Sequence, residues 1–221
     1  MTRTAFERQL TEIQDEMLAL AAMAETAIRR SIEALESGDV GLARQIIADD
    51  IKINEKRYNT EERCLELVAT QQPLASDLRT IVAVLHIIVD LERIADHAEG
   101  NAKLTLMLSD EPPVKPDVDI KRMAQKGIEM LHASLEAFKD RDTQRARAIC
   151  EMDDEVDALY EQAYHELLTY MIQNPQAIQV ATYLIWVAHN LERIADRVTN
   201  ICERVVFMVT GHVQELNVSR Y

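Results

Sequence analysis

The sequence reads as an all-α protein, two tandem three-helix bundles related by an internal repeat. Its composition is that of long helices: 48% of the 221 residues are hydrophobic, while Gly and Pro number 5 each. The segment Asp90-Leu-Glu-Arg-Ile-Ala-Asp96 returns as Asn190-Leu-Glu-Arg-Ile-Ala-Asp196. Two proline turns, at Pro73 and Pro175, precede the two copies at similar distances. Motif and turn therefore repeat in register, which is the mark of duplicated halves.

From Thr4 to about Leu35, apolar residues recur at three and four (Phe6, Leu10, Ile13, Met17, Leu20, Ala24, Ile28, Ile32), giving a long amphipathic helix. Ser37-Gly38-Asp39 ends it, with Gly38 as the left-handed stop and Asp39 as the cap of the next helix. A second helix spans about Val40 to Thr70. Leu42, Ile46, Ile47, Ile51, Ile53, Tyr58, Cys64, Leu65 and Val68 are its expected inward residues. Gln71-Gln72-Pro73 turns the chain, and Pro73 suits the first position of a third helix running from Leu74 to about Leu108.

Ser109 to Pro116 holds three prolines in five residues and cannot continue a helix, so the boundary between halves falls there. Helices then follow at about Val118 to Phe138, Thr143 to Gln173 and Gln176 to Val209, with Asn174-Pro175 as the second turn. The expected organisation is residues 1–110 as the first bundle, 117–210 as the second and 211–221 as a C-terminal tail.

A formal net charge of -14 disfavours attraction to nucleic-acid phosphates or an anionic membrane surface. Cations and basic protein patches are better partners. Cys64, Cys150 and Cys202 lack CxxC spacing and read as reduced thiols of a cytoplasmic protein. The longest apolar run, Ile81 to Val89, is interrupted by His86 and falls well short of the roughly 20 residues a membrane span needs, so direct membrane insertion is not expected.

The candidate chemistry lies in carboxylates. Residues four apart on a helix are about 40° apart around its axis, so Glu92 and Asp96 share a face, as do Glu192 and Asp196. Such like-charge pairs cost an isolated helix roughly a few tenths of a kcal/mol, and finding two of them points to a positive partner. Short turns make neighbouring helices antiparallel, which brings residues equally distant from a turn level with each other. Asn54 and Glu92 each lie nineteen residues from Pro73, and Asp50 and Asp96 twenty-three. Around Pro175 the same holds, within one residue, for Asp157 with Glu192 and for Asp153 with Asp196.

Each half can thus gather four oxygen-bearing side chains: Asp50, Asn54, Glu92 and Asp96 in the first, Asp153, Asp157, Glu192 and Asp196 in the second. Glu99, Glu161, Asn200 and Glu203 are close by in sequence. This is a ligand set for hard cations, and iron, manganese, magnesium and zinc all accept oxygen. Arg93 and Arg193 offer a rival use of the same carboxylates, as salt-bridge partners, and an acidic helical protein puts many such pairs on solvated faces. Asn54 stands where the second half has Asp157, so the first site should bind metal more weakly.

Other signals are thin. Glu129 and His132 form an ExxH unit, but a di-iron bundle needs a second one and none is present. No phosphate loop or nucleophile motif occurs, and a metal-dependent enzyme acting on oxygen or on phosphate esters remains the alternative to a regulatory metal-binding protein.

The doubled LERIAD motif, together with Gln71-Gln72-Pro73-Leu74-Ala75-Ser76-Asp77-Leu78-Arg79, resembles the PhoU family of phosphate transport accessory proteins over about residues 4 to 210. The family motif usually reads LERIGD; Ala95 and Ala195 replace its Gly, and Gly100 stands where the pattern has the Asn found at Asn200. The resemblance implies a cytoplasmic, non-catalytic homodimer that binds divalent or trivalent metal ions through Glu92, Asp96, Glu192 and Asp196. It further implies negative regulation of the phosphate-starvation response, by linking the phosphate transporter ATPase to a sensor histidine kinase.

Overall fold

A computed structural model describes residues 3–111 and 118–216, which form six long helices and no strand. They are α1 (Arg3–Ser37), α2 (Val40–Gln71), α3 (Ala75–Leu108), α4 (Ile120–Asp140), α5 (Thr143–Gln173) and α6 (Ile178–Thr210). Most of the proline-rich stretch read as the boundary, residues 112–117, and the end of the tail, residues 217–221, lie outside the described residues.

The helix starts are chemically specified. Asp39 accepts a hydrogen bond from the Leu42 amide at 2.9 Å, Asp119 from Arg122, and Asp142 from both Gln144 and Arg145. Each satisfies amides that the first turn of a helix leaves without partners. Gly38 and Gly211 take the left-handed conformation that closes α1 and α6.

The two proline turns differ from each other. Pro73 does not occupy the first helical position: Gln72 closes α2 in the left-handed region, Leu74 is extended, and α3 begins at Ala75. Pro175 does open a helix, but as a single 3-10 turn, Pro175–Ala177, from which α6 continues at Ile178.

In α2 the inward face also departs from expectation. Ala43, Ile46, Ile53, Thr60, Cys64 and Leu67 are buried, while Ile51, Tyr58 and Leu65 are more than half exposed. The latter three recur every seven residues and form a second apolar stripe, about 120° from the first.

At the centre, α3 packs on α1, α2 and α6, while α6 packs on α3, α4 and α5. These two helices are apolar on more than one face, and the buried residues of both halves merge into one continuous core. Asn200 Nδ2 donates to Asp90 Oδ1 at 3.1 Å, and Asn190 Nδ2 donates to Asn101 Oδ1 at 2.9 Å. Each bond joins an early residue of one helix to a late residue of the other, so α3 and α6 run antiparallel. Ala95 and Ala195, both buried, lie level midway between the two bonds.

A small side chain at that level lets the two backbones approach. The same seam explains Gly100: a Cβ there would stand 3.1 Å from the Asn190 amide nitrogen, which is already engaged by Asn101. The first half therefore lacks room for the Asn that its twin carries at Asn200.

Candidate functional site

In each half the LERIAD motif divides its residues between core and boundary. Leu91, Ile94 and Ala95, like Leu191, Ile194 and Ala195, are buried and pin the helix. That anchoring leaves the acidic pair facing α2 or α5 at the edge of the bundle. The Glu side chains are the deeper members, 16% exposed at Glu92 and 13% at Glu192, and the Asp side chains the more open, 34% at Asp96 and 30% at Asp196.

In the first half Asp50 and Asp96, counted as level, feel each other's charge. Asp50 titrates above its ordinary range because it is buried and feels Glu99 and Asp96, against the pull of Asn54 and Lys103. Glu92 is raised in the same way by burial and by Asp96 and Asp50, opposed by Arg93 and Arg57. Asn54 turns to Asp50, its amide nitrogen donating to Asp50 Oδ2 at 2.8 Å. Asp50 Oδ1 is buried without a hydrogen bond.

In the second half burial and the charges of Asp196, Asp154 and Glu161 raise Asp157. Burial, Asp196 and Asp157 lift Glu192 to about 7, with Arg193 the opposing charge. Glu192 Oε2 is buried without a hydrogen bond; His189 Nδ1 stands 3.4 Å away, its own basicity lowered by burial and by Arg193. Asp153 lies deeper than its three companions, 1% exposed, where its charge reaches the Cys202 thiol. Asp196 opens into a cleft of about 360 Å³ walled also by Arg193, Arg197, Thr199, Asn200 and Glu203.

Two features were missed in the sequence. Arg57 acts on Glu92, and Lys103, 2.6 Å from Glu99, acts on Asp50, so the first constellation does contain basic residues. Arg57 lies three residues beyond Asn54 on the same side of α2, a spacing that could have disclosed it. The corresponding position in α5, three beyond Asp157, is Tyr160. Asn54 against Asp157 and Arg57 against Tyr160 together make the second site more negative by two charges.

The arginine alternative is also realised. Arg93 Nη1 donates to Asp96 at 3.1 Å with its Nε 3.6 Å from Glu92, and Arg193 donates to Asp196. Among the described residues, no three His, Cys, Asp or Glu side chains stand together in an arrangement that could hold a metal ion. Arg93 is 55% exposed on its side chain, and ion pairs of that kind contribute roughly 0–1 kcal/mol, so a cation can displace them at small cost. The chemistry of the residues present fits a hard cation: all-oxygen donors, a buried acceptor without a hydrogen bond in each half, and carboxyls raised by burial and then by one another.

Glu129 and His132 carry no such chemistry. Gln125 and Lys126 engage Glu129, and His132 faces Glu136 at 3.6 Å on the surface of α4.

Fold and motif together define a tandem-repeat helical protein whose distinguishing surface is a doubled acidic pair. The PhoU domain model matches residues 17–105 and 120–205, and the chain belongs to the PhoU family. It is 38% identical over 218 residues to the phosphate-specific transport system accessory protein PhoU homolog of Clostridium acetobutylicum, covering 98% of this chain and 100% of that protein. The homolog of the same description from Aquifex aeolicus is 37% identical, covering 93% of each. The crystal structure of PhoU from Pseudomonas aeruginosa superposes with a TM-score of 0.87 at 34% identity, covering 94% of this chain and 100% of that one. The phosphate transport system regulatory protein PhoU from Streptococcus pneumoniae gives the same TM-score at 30% identity, covering 95% of this chain and 99% of that one. The family is one of accessory proteins of phosphate transport, not of enzymes. No helix among the described residues is long and apolar enough to cross a membrane.

Proposed function

We propose that the protein is a cytoplasmic, metal-binding regulator of phosphate uptake and a negative regulator of the phosphate-starvation response. It acts as an adaptor between the phosphate transporter ATPase and a sensor histidine kinase. The observation that carries the reading is the doubled cluster of half-buried carboxylates, raised by burial and by one another, set on a fold of the phosphate-transport accessory family. Asp50, Asn54, Glu92 and Asp96 would hold metal in the first half, Asp153, Asp157, Glu192 and Asp196 in the second. A bound di- or trivalent ion supplies charge neutralisation and fixes the two helices of each hairpin relative to one another.

Adaptor action requires that the protein bind two states of a partner with different affinity. The α3–α6 seam is the route such a difference would take, since the helices that carry both motifs pack together and share the Asp90–Asn200 and Asn101–Asn190 bonds. Affinity-tagged protein, expressed in cells that make the transporter and the kinase, should co-purify with both. Capture of neither would overturn the adaptor reading, while leaving the metal sites to be judged separately.

A further inference from the structure

The second helical hairpin has a surface that its twin lacks. From Ala148 to Glu192 the chain holds eight Asp and Glu and no Lys or Arg, along with four of the six tyrosines and the sole tryptophan. The corresponding stretch of the first half, Ala48 to Glu92, carries five basic residues: Lys52, Lys56, Arg57, Arg63 and Arg79. The repeat thus preserved the fold of the hairpin and changed the chemistry of its face.

Along α5 and α6 this surface has two ends. Near the proline turn, Ile172 is 82% exposed, Ile178 51%, Trp186 49% and Tyr164 39%. Toward the middle, Tyr160 meets His189 across the two helices with ring centres 5.9 Å apart and continues to Tyr164 at 6.3 Å. One turn further along lie Asp157 and Glu192, with Glu161 beside them. An apolar and aromatic end therefore grades into an acidic one. Ile172 and Ile178 each lie three residues from Pro175, and Tyr164 and Trp186 eleven, so the hairpin carries exposed apolar side chains at two matched levels. Such surfaces mark interaction sites, and aromatic rings beside carboxylates suit cationic side chains.

We infer that the α5–α6 hairpin docks a basic amphipathic helix, its apolar residues seated by Trp186, Tyr164, Ile172 and Ile178 and its Lys and Arg residues facing Glu161 and Asp157. A second copy of this chain is a poor occupant, because a chain of net charge -14 would meet a face whose nearest basic residue, Arg193, is already paired with Asp196. The inference rests on the adaptor reading for the existence of a partner but not for the surface itself.

The test uses the full chain in excess chelator, so that metal plays no part. The probe is a fluorescein-labelled peptide with leucines at helical spacing and Lys and Arg between them; its control has Glu at each basic position. The basic peptide should bind and shift the emission of Trp186 to the blue, and the acidic control should do neither. Trp186→Ala combined with Tyr164→Ala should weaken binding, read by anisotropy, about tenfold or more. Tyr58→Ala combined with Leu65→Ala, exposed on the first hairpin, should leave it unchanged. Circular dichroism checks that both variants keep their helices.

Equal weakening by both variants, or binding without a Trp186 response, would reduce the effect to diffuse attraction by an acidic protein and overturn the inference. Self-association in sedimentation that Trp186→Ala abolishes would assign the face to a second copy and overturn it as well. Peptide binding at the hairpin without capture of transporter or kinase would sink the adaptor reading alone.

Discussion

Metal-free protein carrying Glu192→Gln should melt higher than its parent at pH 8 and at about the same temperature at pH 4. Burial and the neighbouring Asp196 raise Glu192 from 4.5 to about 7 in the folded protein, so the native state keeps a proton that the unfolded chain has released. A carboxyl raised in this way contributes its stability below about 4.5 and loses it as pH climbs toward 7, since there the native state binds more protons than the unfolded one. Above pH 7 the loss amounts to about 3 kcal/mol, or roughly 5–10 °C in melting temperature for a chain of this size. Glutamine has no proton to lose and keeps the shape. Thermal unfolding of the two proteins in chelator at both pH values reads the effect; a variant that melts lower than its parent at pH 8 would contradict it.

Ala195→Leu should destabilise the whole molecule by about 3 kcal/mol, because extra methylenes in a filled interior force neighbouring side chains and backbones apart. Ala195 is 0% exposed and level with Ala95 where α3 and α6 pass, so two central helices must separate to admit leucine. Ala158, exposed on α5, supplies the control: leucine there should change stability by no more than about 0.5 kcal/mol. Denaturant titration of the two variants measures the difference. Equal stabilities would mean that the seam is looser than its packing indicates.

Much of this structure was legible in the sequence because it rests on periodicity and on counting. The repeat of Leu-Glu-Arg-Ile-Ala-Asp, with a proline turn at nearly the same distance before each copy, set Asp50 level with Asp96 and Asp157 level with Glu192, and in the folded chain each pair is close enough for its charges to interact. The six helices followed from apolar spacing, Gly38, the Asp39 cap and the prolines. What escaped was whatever depends on the third dimension. Ile51, Tyr58 and Leu65 are apolar yet face outward, since α2 carries two apolar stripes and only packing decides which is buried.

Arg57 escaped for a similar reason. A long side chain on α2 can reach solvent, Glu61 or Glu92, and spacing alone does not choose between them. Pro73 was misplaced because Gln72 ends α2 in the left-handed region and Leu74 is extended, so that α3 begins only at Ala75. Gly100 gained its reason only from Asn190, a neighbour ninety residues away in sequence.

Calorimetric titration of chelator-treated protein with Mn²⁺ addresses the acidic sites directly. The parent should show two classes of site, the tighter in the second half, where Arg193 is the only Lys or Arg found to oppose Glu192. The weaker should lie in the first half, where Arg57, Arg93 and Lys103 offset the acids. Glu192→Ala should abolish the tight class and Glu92→Ala the weak one. Binding unchanged by both substitutions would show that the carboxylate pairs are solvated ornaments of the bundle rather than cation sites.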